Sequence, residues 1–188
     1  TLSSVNSALA PAGPILISTH TASGSSSIEI TSGIDSTYDE YMFVFTDINP
    51  ATDDVDFTFQ VNAVDASGFN ETITSTFFAA FHTEDDSTTG LYYLASYDQA
   101  QGTAYQALSY DIGNGGDECC AGELHLFNPA STTYVKHFYS RLSAVGVAAQ
   151  AGDWFTAGYI NTTTAIDDIQ FKMNEGNFDG TIKMWGVK

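Results

Sequence analysis

A chain of 188 residues with 43% hydrophobic content is long enough for one domain with a sizeable core. Its 23 acidic residues against five basic ones give a formal charge of −18. Such a surface excludes direct binding to nucleic acid and attraction to anionic membranes, since both require cationic neutralisation, and no apolar run approaches the ~18 residues of a membrane span. All five bases (Lys136, Arg141, Lys172, Lys183, Lys188) lie in the last third. The 13 Phe and 10 Tyr, set among many Thr and Ser, favour strands over helices.

In chain order, residues 1–14 are small and polar, with Pro11, Gly13 and Pro14, and read as an extended N-terminal arm. The opening segment carries no positive charge and does not read as a secretory signal. Ile15–Ser18 reads as a first strand, and Ile28-Glu29-Ile30 follows a Ser/Gly tract. Residues 33–39 form a loop. Tyr41–Phe45 is a continuous apolar run, expected for a strand buried on both faces or central in a sandwich. After the Asn49-Pro50 turn and the Asp53-Asp54 loop, Phe57, Phe59 and Val61 alternate with Thr58, Gln60 and Asn62, which predicts a strand with one dry face. Further extended segments are expected at 72–76, 77–81 and 91–97, and a short helix within 98–108. Asn114-Gly115-Gly116-Asp117 is a loop. Glu123–Phe127, the turn at 128–131 and Tyr134–Arg141 read as a hairpin. Strands at 142–147, 154–160, 166–173 and 181–187 complete nine or ten. Such punctuation predicts an all-β antiparallel β-sandwich over residues 15–188, jelly-roll-like.

Candidate ligand residues fall into a few groups. The hairpin would set His125 opposite His137, with Glu123 two residues along on the same face, a transition-metal trio if the register holds. A slip of one residue would destroy it. The loops Asp53-Asp54-x-Asp56, Glu84-Asp85-Asp86 and Asp117-Glu118 offer the convergent oxygens that calcium takes, although solvated loop charge accounts for them as well. Adjacent Cys119 and Cys120 do not make a disulfide framework and read as free thiols. No nucleophile elbow, phosphate loop or dinucleotide fingerprint occurs. Tyr92, Tyr93, Tyr97, Tyr105 and Trp154 have the ring chemistry to stack on sugars or to fill an interface.

Three segments together carry a resemblance: residues 27–63, residues 122–140 and residues 169–188. Their most specific marks are the Thr31-Ser32-Gly33-Ile34-Asp35-Ser36-Thr37-Tyr38 turn and the closing Gly-Thr-Ile-Lys-Met-Trp-Gly-Val-Lys. They resemble a family of small virion structural proteins of marine tailed bacteriophages. The resemblance implies a β-sandwich at the surface of a particle and brings no catalytic residues. Residues 1–14 look like an addition to the family pattern. The expectation is a non-enzymatic capsid decoration or knob protein, in contact with capsid or tail proteins of the same virion and homo-oligomeric, a trimer being natural at local three-fold positions. A tail-fibre or appendage module that touches a host-surface glycan is one alternative. A secreted adhesive or carbohydrate-binding module, or an extracellular filament subunit, is the other.

Overall fold

The computed structural model describes residues 13–188, so the arm, apart from Gly13 and Pro14, lies outside the described residues. The described chain is all-β. Its strands are β1 Ile15–Ser25, β2 Ile28–Ile30, β3 Glu40–Pro50, β4 Phe57–Ala63, β5 Ile73–Thr83, β6 Thr89–Tyr93, β7 Ala100–Gly102, β8 Gln106–Ala107, β9 Cys120–Phe127, β10 Lys136–Gly146, β11 Gln150–Ile160, β12 Ile166–Met173 and β13 Phe178–Val187.

A nine-stranded sheet has the order β1-β13-β3-β9-β10-β11-β5-β6, with β7 also pairing with β5, and a four-stranded sheet has the order β2-β12-β4-β8. Every pairing is antiparallel. Eight strands nest from the outside inward: β1 with β13, β2 with β12, β3 with β9 and β4 with β8. β1-β13-β3-β9 therefore faces β2-β12-β4-β8, the wrapping of a jelly roll. The remaining strands are two insertions. β5–β7 come between β4 and β8, and β10 and β11 come between β9 and β12. Together they extend the large sheet beyond β9.

The core lies between the sheets. Phe57, Phe59 and Val61 point inward, as their alternation predicts, and each is fully buried. Phe171 is central: its ring lies 5.4 Å from Phe43, 5.2 Å from Phe45 and 6.0 Å from Phe57. Burying one such ring stabilises the fold by about 1.5–3 kcal/mol. Beneath the extension the small sheet gives way to the 94–112 segment. There Tyr110 meets Trp154 edge-on at 5.6 Å and Tyr97 lies 5.4 Å from Phe77. Trp154 is thus a core residue, 1% exposed, and presents no ring to a sugar.

Local chemistry fixes the turns. Gly33 adopts φ +88°, and a β-carbon there would press on Ile17 and Met184. Just beyond it, the Tyr41 hydroxyl accepts from the Asp35 amide at 2.8 Å and donates to the Asp35 carbonyl. This pins the loop that precedes β3.

Several sequence expectations change. Residues 98–108 hold β7 and β8, not a helix. Gln101 at φ +58° breaks any helical path. The fully buried Gln106 spends its amide on the carbonyls of Tyr97 and Ala107 and accepts from Ser75 Oγ. Its side chain thereby ties an edge segment to β5. Residues 142–147 continue β10 and are not a separate strand, and β1 runs on through much of the Ser/Gly tract.

Candidate functional site

The predicted ligand residues do not assemble as expected. In the β9–β10 pairing His125 lies opposite Tyr139, and Glu123 opposite Arg141. His137 instead sits beside Tyr159 of β11. The register differs by two residues, which keeps both histidines on one face but parts the imidazoles. The reason is a longer connection. Asn128 takes φ +46°, Ser131 Oγ accepts from the amides of Thr133 and Tyr134, and β10 starts only at Lys136. Lys136 is fully buried, with Nζ donating to the carbonyls of Tyr134 and Thr162 at 3.2 Å each, and burial lowers its pKa.

His125 meets carboxylates instead of a second imidazole. Its Nδ1 pairs with Glu40, its Nε2 lies 3.4 Å from Glu123 Oε1, and its ring stacks on Tyr139 at 4.5 Å. In the 84–86 loop, Asp85 accepts from the Ser87 amide, and hydrogen bonds from Ser87 and Thr83 hold its carboxyl down at about 2. Asp86 pairs with His82 at 2.9 Å on the exposed surface. Glu118 folds back on the Gly115 amide at 2.6 Å, a local loop contact. Among the described residues, no three His, Cys, Asp or Glu side chains form a group that could hold a metal ion. Cys120 is buried, Cys119 is half-buried, and neither is in a disulfide. Burial raises the pKa of both thiols.

The Asp53-Asp54-Asp56 loop gains a partner that sequence spacing concealed. The Val55–Ile112 bridge brings Asp111 beside it. Burial and the neighbouring Asp54 push Asp56 up to about 6. Burial, a hydrogen bond to Asp54 and the nearby charges push Asp111 up to about 6 as well. Asn174 brackets Asp56, accepting from its amide and donating to its carboxylate at 2.9 Å. Beside this cluster lies an open cleft of about 380 Å³ lined by Asp56, Tyr97, Asp98, Tyr105, Lys172 and Asn174 among others. Lys172 Nζ sits 4.2 Å over the Tyr105 ring. Burial and the carboxylates of Asp56, Asp111 and Asp54 raise the Tyr97 hydroxyl to about 12.

The larger feature is the outward face of the nine-stranded sheet. Its side chains stand in rows across the strands. One row runs Tyr93, Phe78, Phe155, Arg141, Glu123, Val44, Lys183. The next runs Thr76, Ala157, Tyr139, His125, Met42, Trp185, Leu16. In the first, Phe78 and Phe155 stack at 4.8 Å and 4°, and the Arg141 guanidinium lies 4.9 Å over Phe155. Arg141 also grips Asp153 through two hydrogen bonds of 3.0 and 2.8 Å. On this face Leu91 is 74% exposed, Tyr93 59%, Tyr139 44% and Phe78 39%. The outward face of an antiparallel sheet in water is ordinarily polar, so this gathering of exposed rings and Leu91 on one face marks a contact surface.

No family model, no curated protein and no solved structure matches the chain.

Proposed function

We propose that the protein is a non-enzymatic structural protein of a bacteriophage virion surface, in its most specific form a capsid decoration or knob protein. The observation that carries this reading is the aromatic outward face of the nine-stranded sheet, which is built for contact with protein. The rest of the surface supports it. An acidic skin keeps a particle protein soluble and off nucleic acid, and the resemblance of residues 27–63, 122–140 and 169–188 points to the virion. The jelly roll serves in viral capsid proteins as well as in lectins, so the fold is compatible with the reading without choosing it. The five bases do not gather into one gripping patch: Lys136 is buried, Arg141 and Lys183 stand on the outward face, Lys172 lies on the opposite sheet, and Lys188 lies over the Tyr38 ring. Mass spectrometry of density-banded particles is the test. The chain should co-band in an amount stoichiometric with the major capsid protein; its presence only as free protein in the medium would contradict the reading and favour a secreted adhesive module.

The cleft at Tyr105 and Tyr97 favours a second reading, an appendage module that binds a host-surface glycan. Saturation-transfer NMR with glucose, galactose, mannose and their N-acetylated amino sugars should then show binding that Tyr105→Ala abolishes. No transfer from any of them would remove this alternative.

A further inference from the structure

We infer that the outward face of the nine-stranded sheet pairs with the same face of a second copy of this chain, the two related by a two-fold axis lying in the interface. The inference rests on reading that face as a contact surface and adds the identity of its occupant.

Charge selects the partner. On a chain of net charge −18, the outward side chains of β3, β9, β10, β11 and β5 include four carboxylates, Glu40, Asp47, Glu123 and Asp153. Asp153 is held by Arg141 and Glu40 by His125. Lys183 of β13 stands in the same row as Glu123. With Arg141 and Lys183 among them, the face is much less acidic than the rest of the molecule, where the remaining acids crowd the loops and the other surfaces. A basic partner would be drawn to those other surfaces and an acidic one would be repelled by them. A face that is largely apolar and only weakly acidic fits another of the same kind, and the molecule itself supplies one.

Relief selects the geometry. The Tyr93-Phe78-Phe155-Arg141 row is a ridge. Directly beside it, past Leu91 at the β6 end, runs a row of short side chains, Ala80, Asp153, Ser143 and Ala121, with Ala151 next to them. Ala121, Ser143 and Ala151 floor a hollow of about 400 Å³ bounded by Arg141, Glu123 and Asp153. An in-plane two-fold axis between ridge and trough lays the ridge of each copy in the trough of the other. Such an isologous contact is self-complementary and closed. The size also suffices. Ridge and trough cross five strands, β6, β5, β11, β10 and β9, which at ~4.8 Å spacing and about seven residues of each present on the order of 550 Å² per copy, so that the pair buries roughly 1,100 Å², just above what a specific interface needs. The ridge residues are Tyr, Phe and a stacked Arg, types that anchor interfaces.

The test is the molar mass of the full chain by light scattering at about 100 μM, in low and in high salt. The expected result is twice the 20.1 kDa of the chain. Salt should strengthen the association, because screening relieves repulsion between two acidic bodies while apolar contact persists. Phe155→Asp on the ridge and Ser143→Arg in the trough should each raise the dissociation constant at least about 10-fold. Asn62→Arg, on the outward face of the four-stranded sheet, should leave it unchanged. Ser143 is exposed, so Ser143→Arg folds, and a melting curve checks both ridge and trough variants. A monomer at every salt concentration would overturn the inference. So would a trimer, or a dimer untouched by either variant. None of these outcomes removes the protein from the virion, which the particle analysis decides separately.

Discussion

The two sheets present opposite chemistry to their surroundings. On the four-stranded sheet the outward residues form a polar ladder. Glu29 accepts from Gln170, Gln170 accepts from the Tyr105 hydroxyl, Asn62 donates to Asp168, and Thr58 donates to the Lys172 carbonyl. Amides, hydroxyls and charges satisfy one another there, with Thr58, Gln60 and Gln170 buried among them. On the nine-stranded sheet the same structural position carries Phe78, Phe155, Tyr139, Met42 and Trp185. Both sheets share one core and one strand chemistry, so the fold does not demand this difference. In an isolated monomer an aromatic face gains only its cross-strand contacts, and it contributes more free energy once it is covered. The polar face is finished as it stands; the aromatic face is finished by a partner.

That contrast can be broken by asking what each face contributes to the single chain. The largest effect belongs to the interior. Phe171→Ala, which removes the ring between the sheets, should cost about 3–5 kcal/mol in chemical denaturation. If aromatics on the outward face were equally structural, Phe155→Ala would cost as much. The account expects less than about 1.5 kcal/mol for it, measured at a concentration low enough to keep the protein monomeric.

Next comes the acidic cluster at the edge of the polar side. Asp56 and Asp111 have folded values of about 6, above the unfolded value near 4. The folded state therefore holds their protons more tightly than the unfolded one. Their contribution is fully present below about pH 4 and is lost as the pH rises through about 6. Moving from about pH 7.5 to about pH 5 should raise the melting temperature by roughly 2–4 °C, after allowance for solvent screening of these half-buried groups. Asp111→Asn should flatten that dependence and raise the melting temperature at neutral pH. A flat profile in the parent protein would show that burial and the neighbouring carboxylates do not raise these two groups. Asp85, held low by its hydrogen bonds, has the opposite sign, and its contribution is lost as pH falls below the usual carboxylate range.

The smallest effect belongs to the ladder itself. Gln170→Ala should cost about 1 kcal/mol, the net value of a hydrogen bond. It should leave the molar mass unchanged, whereas Phe155→Asp should change the mass more than the stability.

Much of this was legible in the residues, and the reasons for the rest are specific. The alternation of Phe57, Phe59 and Val61 announced which face of the strand meets the core, although Thr58 and Gln60 of the face expected to be wet are buried too, and the all-β sandwich followed from such segments and their Gly and Asn-Pro punctuation. The continuous Tyr41–Phe45 run signalled apolar chemistry on both faces of β3. Its second face proved to be the outward one, with Met42 and Val44 half-buried among their neighbours. Adjacent Phe77-Phe78 and Trp154-Phe155 carry the same signal, one ring inward and one outward in each pair. The 98–108 segment misled because Ala and Gln favour helices, while the tertiary hydrogen bonds of Gln106 outweigh that preference. The His125 register failed because turn length, which side-chain identity does not report, decides which residues meet. Asp111 joined the acidic loop through a bridge between segments remote in sequence, and no local pattern points to it.

The measurement that bears most directly on the central claim is tyrosine-directed covalent labelling, read residue by residue at about 1 μM and about 100 μM in high salt. Tyr93 and Tyr139 stand on the aromatic face, and Tyr134, 70% exposed, stands in the loop before β10. Tyr93 and Tyr139 should become protected at the higher concentration while Tyr134 stays reactive. Equal reactivity of all three at both concentrations would contradict it, and would leave the aromatic face bare.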